Sequence, residues 1–265
     1  MSFYEVTSGS LRYMASTLID APHAFTTRYG GVSEGEYSSL NLSVTRCDKR
    51  ENIQKNYDIL CDGLNYPRDS FAYTRQVHST VVRAVTEKDK VGLFEETEED
   101  RDGLVTDRPN LPIIAYTADC TPILLYDPVR KAAGAVHAGW RGTVGDIAGN
   151  AVRLMVSEYG CRAENIRCAI GPCISRCCFE TDADVPDAVI KALGSDGKHY
   201  IAPKDGKFFV DLKGVNASLL MRCGVKEENI DISDECTMCL HDKYWSHRFT
   251  KGRRGSQACA IMLRG

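Results

Sequence analysis

The sequence predicts an α+β fold in which mixed β-sheets are layered with helices. Apolar residues recur at helical spacing in four segments, while short apolar runs between turn residues predict strands. Several of these strands follow one another with no helix between them, unlike the regular alternation of a parallel α/β sheet. Because no repeat, linker or low-complexity segment divides the chain, we expect a single domain over residues 1–265.

The elements follow in order from these patterns. Residues 1–46 alternate apolar and polar positions around turn residues, which predicts strands. Further strands are predicted at residues 71–77, 81–85, 102–106, 123–126, 132–136, 166–170, 208–212, 230–232 and 258–263. Helices are predicted at residues 50–64, 144–159, 185–193 and 215–220. Asp48 or Asn52 is the expected cap of the first helix, Gly160 ends the second, and the acidic run 95–100 predicts a solvated loop.

Composition and charge argue against several classes of function. The net charge is −3 and no long basic stripe is present, so the chain lacks the footprint of a nucleic-acid-binding protein. No apolar run approaches the roughly 18 to 20 residues of a membrane span, and no signal-peptide pattern is present. We therefore expect a cytoplasmic protein with no membrane partner. Lys251 with Arg253 and Arg254 predicts a solvated loop rather than a phosphate site.

The stretch from Tyr116 to Thr143 carries the densest group of special residues. Two apolar runs flank Asp127-Pro128, which predicts neighbouring strands joined by a turn. Cys120 precedes the first strand and His137 follows the second. If the strands pair as a hairpin, this thiol and this imidazole meet at one sheet edge. The two glycines after His137 let backbone approach a ligand, and the helix start that follows favours an anion.

His78, which follows another predicted strand, is the third candidate. His78, Cys120 and His137 are too widely separated for a zinc finger, so the fold must bring them together. One thiolate and two imidazoles with an open fourth position describe catalytic zinc, whose bound water has a pKa of about 7. Without a metal, Cys120 is instead a nucleophile activated by His137, as in thiol hydrolases. Asp119 either supports this site or forms a turn, and Asp102 is either structural or directed into the site.

The 12 cysteines require a choice between disulfides, metal binding and packing. A reducing compartment disfavours disulfides, and cysteines within apolar periodic segments are expected in the core. Two clusters remain: Cys173 with Cys177-Cys178, and Cys236 with Cys239 and His241. The second is similar to half of a zinc site, but a closed site needs four ligands and the sequence offers no evident second half.

Seven motifs, in order over nearly the whole chain, resemble those of the YfiH-like family. They are Phe25–Ser33, Ser39–Ser43, Arg75–His78, Asp102–Thr106, Ala118–Pro122, Val136–Thr143 and Ala169–Ile174. The run Val136–Thr143 is highly specific, whereas the short motifs are weak individually. Members of this family have been called multicopper polyphenol oxidases, or laccase-domain proteins, and also purine nucleoside phosphorylases with adenosine deaminase activity.

The resemblance implies a layered α/β/β/α sandwich with its site near the sheet ends, and it makes His78, Cys120 and His137 metal ligands. It implies zinc-associated phosphorolysis of adenosine, inosine and 5′-methylthioadenosine to free base and ribose 1-phosphate, and hydrolytic deamination of adenosine. Purine nucleosides and phosphate are then the expected partners of a monomer or homodimer. Residues 46–48 and 244–248 depart from the family pattern, which bears on substrate preference.

These reactions suggest roles for further residues. Phosphorolysis needs a phosphate held at ribose C1′ and contacts to the ribose hydroxyls, and deamination needs a proton carrier. The candidates for the phosphate contact are Arg28, Arg75 and Arg141, and those for the ribose contacts are Asn41 and Ser43. The candidate proton carrier is Asp119. Arg141 ranks first among the arginines because it follows His137 in the same loop, so the predicted catalytic set is Cys120, His137, Asp119 and Arg141.

Two other functions compete with this one. A laccase-type cluster of several coppers consumes many imidazoles, and this chain has six histidines scattered along its length. A single copper can still occupy a His-Cys-His site, because divalent copper exceeds zinc in intrinsic affinity. A copper-dependent polyphenol oxidase is therefore the second hypothesis, and a non-enzymatic, zinc-stabilised binding module is the third.

Overall fold

The computed structural model describes residues 3–46, 48–68, 71–95 and 99–265, so Cys47 and residues 96–98 of the acidic run lie outside the described residues. The described strands are β1 (Phe3–Ser8), β2 (Leu11–Ser16), β3 (His23–Thr26), β4 (Ala72–Tyr73), β5 (Val82–Ala84), β6 (Gly103–Thr106), β7 (Ile113–Thr117), β8 (Thr121–Asp127), β9 (Ala132–Ala138), β10 (Arg167–Ile170), β11 (Glu180–Thr181), β12 (Ile201–Lys204), β13 (Lys207–Val210), β14 (Ile230–Ile232) and β15 (Gln257–Ile261). The described α-helices are α1 (Arg50–Leu64), α2 (Trp140–Val144), α3 (Ile147–Tyr159), α4 (Asp184–Leu193), α5 (Leu212–Arg222) and α6 (His247–Thr250). Among these helices, none is both long and apolar enough to cross a membrane.

Two six-stranded sheets form the centre of the molecule. The first has the order β1-β2-β3-β15-β7-β4 and the second the order β14-β10-β8-β9-β6-β5. Most neighbours are antiparallel, but β4 pairs with β7, β5 with β6 and β14 with β10 in parallel, so both sheets are mixed. A separate antiparallel sheet of order β11-β13-β12 lies beside α4 and α5.

The two large sheets pack face to face with helices on both outer faces. The inner layer joins side chains from both sheets, such as Phe25 and Ile113 from the first and Leu104 and Leu124 from the second. Helix α1 covers the outside of the first sheet, while α3 and α5 cover the outside of the second. The predicted layered α/β/β/α sandwich with mixed sheets is therefore confirmed.

The central hairpin shows how the sequence builds these layers. Along β8, Leu124 faces the other sheet, whereas Ile123 and Leu125 face the helices, since side chains alternate across a strand. Both faces are covered, so the strand has a continuous apolar run instead of an apolar-polar alternation. The antiparallel pairing of β8 with β9 that the apolar runs predict is present, with Thr121 opposite Ala138.

Several predicted boundaries differ from the structure for local reasons. The helix predicted at 144–159 is two helices, because Asp146 has a φ of 61° and caps α3 by accepting a hydrogen bond from the Gly149 N–H. The strand predicted at 208–212 ends at Val210, because Asp211 caps α5. The residue at the start of α1 is Lys49 rather than Asp48 or Asn52, and no side chain caps this helix.

We expect the Leu124→Ala substitution to lower the free energy of unfolding by about 2–5 kcal/mol. Leu124 is fully buried between the sheets, so its truncation leaves a cavity that the packed layers cannot close. Val129→Ala, in the turn of the same hairpin, is the matched control; Val129 is 67% exposed, and a change within about 0.5 kcal/mol is expected. Urea unfolding followed by circular dichroism measures both, and equal losses would contradict the layered packing.

Candidate active site

The hairpin places Cys120 and His137 side by side. Cys120 immediately precedes β8 and His137 lies near the end of β9, where Pro122 is its antiparallel partner. The thiol of Cys120 is partly exposed, whereas His137 is buried. The geometry inferred from the two apolar runs is therefore present in the fold.

His78 reaches the same point from the loop between β4 and β5. Its Nε2 lies 3.8 Å from the Cys120 Sγ, and its ring stands at 85° to the ring of His137 with 4.9 Å between the centroids. One potential ligand atom from each of the three residues lies within 4.8 Å of the other two. The fold thus gathers two imidazoles and one thiol from three separate segments.

A buried carboxylate holds this arrangement together. Asp102, directly before β6, accepts a hydrogen bond from His137 Nδ1 at 2.8 Å, and its backbone oxygen accepts one from the His137 N–H at 2.7 Å. The same carboxylate accepts hydrogen bonds from the N–H groups of Val77, His78 and Ser79 and from the Ser79 hydroxyl. Asp102 therefore fixes the His137 ring and the His78 loop at once, and it leaves the second ring nitrogen of His137 available toward Cys120.

The three groups perturb one another's ionisation. Burial raises the pKa of Cys120, but the charge of His137 and hydrogen bonds from His137 and His78 outweigh it and bring the pKa to about 6. Burial lowers the pKa of His137, but the Cys120 thiolate and the Asp102 carboxylate raise it to about 9. Both pKa shifts favour the thiolate–imidazolium form of the metal-free pair, and a cation that binds both groups displaces the His137 proton.

The residues fit a single borderline-soft metal ion. Two imidazoles and a thiolate are the donor types that zinc and copper accept, and the carboxylate behind His137 is the support that metal-bound histidines have. Gly139 leaves space at the same point, because a Cβ on this residue would lie 2.7 Å from His78 Cδ2 and 3.5 Å from Cys120 Sγ. With three protein donors gathered, a fourth position remains for water or substrate.

This group of three residues opens on a cleft of about 370 Å³, which is large enough for a small organic ligand. Polar and aromatic side chains of six chain segments line the cleft, including Arg46, Arg75, Arg254, Tyr73 and Tyr116. Tyr73 and Tyr116 pack edge to face at 6.2 Å, and Gln76 holds the Tyr116 backbone through both its N–H and its carbonyl oxygen.

Two of the other predicted site residues line the cleft. Ser43 is buried at its wall, with its hydroxyl 3.3 Å from the Thr45 hydroxyl. Arg75 is exposed at its edge, where its Nε lies 3.5 Å from an Asp100 carboxylate oxygen. Asn41 is not among the lining residues; it is fully buried and joins two loops by accepting hydrogen bonds from the N–H groups of Ser43 and Ser256.

The remaining two arginines among the phosphate candidates lie elsewhere. Arg141 is exposed on α2, where its guanidinium lies 4.3 Å from the ring of its own neighbour Trp140. Arg28 stacks on Trp245 at 4.1 Å and donates to the backbone oxygens of Ser38 and His241. Neither arginine lines the cleft. The expected first rank of Arg141 as the phosphate ligand therefore has no support in the geometry.

Asp119 lies next to Cys120, but its carboxylate is engaged on the far side of the loop. It accepts hydrogen bonds from the Thr237 hydroxyl at 2.7 Å, the Ser246 hydroxyl at 3.0 Å and the Arg248 N–H at 2.7 Å. Asp119 has a φ of 88° and does not line the cleft. These contacts favour a positioning role for Asp119 over the expected role of proton carrier.

Arg254 is the principal cleft residue that the sequence did not reveal. The basic cluster at 251–254 predicts a solvated loop, but Arg254 turns inward and donates to the Ser256 hydroxyl at 2.8 Å. Its Nε is buried and has no hydrogen-bond partner among the described residues. Burial and the nearby charge of Arg46 lower the pKa of Arg254, while Cys120 and Asp119 oppose this shift. The prediction of a solvated loop is therefore wrong for Arg254, and no local sequence pattern distinguishes it from the exposed Arg253 beside it.

A sheet-on-sheet sandwich with a two-imidazole, one-thiol site at the end of its central hairpin defines the class of protein. The chain belongs to the family described as multi-copper polyphenol oxidoreductase laccase, whose model matches residues 22–264. The YfiH-like resemblance of the seven motifs is confirmed by this match and by the structures that the chain is similar to.

The similar proteins cover almost the whole chain. The purine nucleoside phosphorylase YlmD of Geobacillus stearothermophilus is 32% identical over 263 residues, 98% of this chain and 96% of that protein. A purine nucleoside phosphorylase of Deinococcus radiodurans is 35% identical over 97% of this chain and 95% of its own length. The crystal structure of the Bacillus licheniformis hypothetical protein YfiH matches with a TM-score of 0.93 at 31% identity, covering 99% of both chains.

We expect Asp102→Asn to reduce the free energy of unfolding of the metal-free protein in a pH-dependent way. Burial raises the pKa of Asp102, but hydrogen bonds from His137 and Ser79 outweigh it and hold the pKa at about 2, below its ordinary value of 3.8. Ionised Asp102 therefore stabilises the fold above pH 4, by about 2 kcal/mol, and this contribution is lost as the pH falls through 2.

The difference in unfolding free energy between Asp102→Asn and the unmodified protein should accordingly shrink by about 1 kcal/mol from pH 6 to pH 3. Asp205→Asn, in an exposed turn, is the control for the amide substitution, and it should change the free energy of unfolding by less than about 0.5 kcal/mol. Urea unfolding at each pH measures both. A flat difference for Asp102→Asn would show that its charge does not stabilise the site.

Proposed function

We propose that this protein is a purine nucleoside phosphorylase that cleaves adenosine, inosine and 5′-methylthioadenosine to the free base and a ribose 1-phosphate, with zinc at its His-Cys-His site. We propose that the same site also deaminates adenosine to inosine. The observation that carries the proposal is the meeting of this candidate metal site with arginines and tyrosines in one cleft. The names of the similar proteins from Geobacillus stearothermophilus and Deinococcus radiodurans support the same reaction class.

Arginines provide the phosphate contacts in this proposal. In phosphorolysis a phosphate oxygen bonds to ribose C1′ while the bond from C1′ to the base nitrogen breaks with its electron pair on the base. Arg254 is the first candidate to hold the phosphate, because its buried Nε lacks a protein partner and Arg46 adds positive charge nearby. Arg75 at the cleft edge is the second candidate. The like charges of Arg46 and Arg254 beside this cleft repel each other until an anion binds between them.

Tyrosines provide the contacts for the base. Tyr73 and Tyr116 line the cleft, and aromatic side chains stack on bases with a favourable free energy of about 1–3 kcal/mol. In this proposal Ser43, which also lines the cleft, contacts a ribose hydroxyl. In this proposal the nucleoside lies between these residues and Arg254, with its glycosidic bond beside the phosphate.

In this proposal the His-Cys-His group contributes to catalysis by binding a zinc ion. Zinc bound there would act as a Lewis acid that polarises oxygen atoms and lowers the pKa of its bound water to about 7. His137 is kept in one orientation by Asp102, and Cys120 is kept ionised by His137, so both ligands are in place before an ion binds. His78 completes the set from a loop whose backbone N–H groups are tied to the same carboxylate.

The copper oxidase hypothesis is favoured by the family description, and the site weighs against it. Only two of the six histidines, His78 and His137, belong to the gathered set. His23 bonds to backbone within the first sheet, and His241 stacks on Phe249. A cluster of several coppers therefore lacks its imidazoles, and the oxidase account requires oxygen consumption on a phenol that scales with copper content.

We expect purified protein to release hypoxanthine from inosine only when phosphate is present. His137→Ala should lower this turnover by at least about 100-fold, because it removes one of the three proposed zinc ligands and with it the positive charge that stabilises the transition state. His199→Ala, in an exposed 3₁₀ helix, is the matched control and should leave turnover unchanged. Chromatography of the released base and circular dichroism of each variant measure the result. Release of base without phosphate would contradict phosphorolysis, and unchanged turnover in a folded His137→Ala would exclude the site.

Arg254→Ala should raise the KM for phosphate by about 10–100-fold, the effect of losing a charge-assisted hydrogen bond of about 1.5–3 kcal/mol. The KM for inosine should change far less, and Arg254→Lys should recover part of the loss. Arg253→Ala is the control, because this neighbouring arginine is exposed. Initial rates over a phosphate series test this assignment, and equal effects of the Arg253 and Arg254 substitutions would refute it.

A further inference from the structure

A second cluster of thiols lies outside the active-site cleft. Cys177 and Cys178 come from the loop between β10 and β11, while Cys236 and Cys239 come from the segment after β14. The four sulfur atoms all lie within 4.8 Å of one another, and the Sγ of Cys239 is 3.6 Å from that of Cys177 and 3.4 Å from that of Cys178. The sequence places these pairs far apart, so the fold supplies the second half that the Cys236 motif lacked.

We propose that Cys177, Cys178, Cys236 and Cys239 bind one zinc ion as a closed, structural four-thiolate site. In a tetrahedron with Zn–S bonds of about 2.3 Å, neighbouring sulfur atoms are about 3.8 Å apart. The separations of Cys239 Sγ from Cys178 Sγ and Cys177 Sγ, 3.4 and 3.6 Å, lie just below this value, and four thiolates leave no open position for substrate. The cluster therefore differs in kind from the His-Cys-His group, which has three donors.

The turn that carries Cys236 is arranged to present a thiolate. The N–H of Ser175 donates to the Cys236 Sγ at 3.3 Å, and the N–H groups of Met238 and Cys239 point to the same sulfur. Several amide hydrogen bonds to one sulfur are the surroundings expected of a metal ligand, because they disperse the charge of the thiolate. Two residues separate Cys236 from Cys239, which is the spacing that zinc-binding turns use.

The two halves of the cluster are held together without a metal. Cys173 and Cys236 form an isolated parallel bridge, and the Thr237 N–H donates to the Cys173 oxygen at 3.0 Å. The Cys173 thiol itself is buried against the Thr121 hydroxyl, so it is not a ligand. The ring of His241 stacks on Phe249 at 3.6 Å between centroids, which also removes this residue of the sequence motif from the ligand set.

An ion in this cluster would stabilise the wall behind the active site. Thr237 lies between Cys236 and Cys239, and its hydroxyl donates to Asp119 at 2.7 Å, directly beside Cys120. Further along the same segment, the backbone oxygen of His241 accepts a hydrogen bond from Arg28. The four-thiolate site therefore anchors the chain that orients Asp119, and its role is structural rather than catalytic.

Metal analysis of paired variants tests this proposal. All variants are made in a His137→Ala background, where the His-Cys-His group lacks a ligand, so the outcome does not depend on the proposed enzymatic function. We expect one zinc per chain by mass spectrometry of the metal, and loss of that zinc in Cys177→Ser/Cys239→Ser. Cys223→Ser, at a partly exposed thiol outside the cluster, is the matched control and should retain the full zinc content.

Two further measurements keep the test decisive if the double variant does not fold. Cobalt added to the metal-depleted His137→Ala protein should give the intense visible absorption of a tetrahedral cobalt thiolate, and zinc should abolish it. Intact mass after alkylation of the unreduced protein should show no disulfide among the four cysteines. A disulfide there, iron in place of zinc, or unchanged zinc content in the double variant would each overturn the assignment.

Discussion

The buried carboxylate of Asp102 is the constraint on which the site depends. It accepts hydrogen bonds from His137 and from consecutive N–H groups of the His78 loop, so one charge unites a strand end and a loop. A buried charge is tolerated only when its hydrogen-bonding capacity is satisfied. Loss of any one of these hydrogen bonds would therefore weaken the others. The relative positions of His78 and His137 are set by the Asp102 carboxylate, which binds both segments.

The sandwich explains why the site lies where it does. A continuous apolar run buries both faces of β8, so polar function is confined to the strand ends, where backbone leaves the packed layers. Cys120 and His137 occupy adjacent ends of one hairpin, and Asp119 extends the same corner toward the segment that carries Cys236. The two thiol-containing clusters are thus neighbours linked through one loop, although their donor sets suit different tasks.

The arginines show how local patterns can mislead. Arg141 has the sequence context of a ligand, after a histidine and between glycines, yet a helical turn directs it to solvent. Arg254 has the context of a solvated basic loop, yet the turn before β15 directs it into the cleft. Side-chain direction at a loop depends on which strand the loop enters, and neighbouring residues do not encode that information.

The sequence by itself determined the apolar runs, the main helices, the pairing of β8 with β9 and hence the meeting of Cys120 with His137, because these depend on local periodicity and a short turn. Tertiary structure alone decided the central role of Asp102, the inward turn of Arg254 and the union of Cys177 and Cys178 with Cys236 and Cys239. The physical reason is that the order of strands in a sheet sets which distant loops become neighbours, and that order arises from the packing of the whole chain.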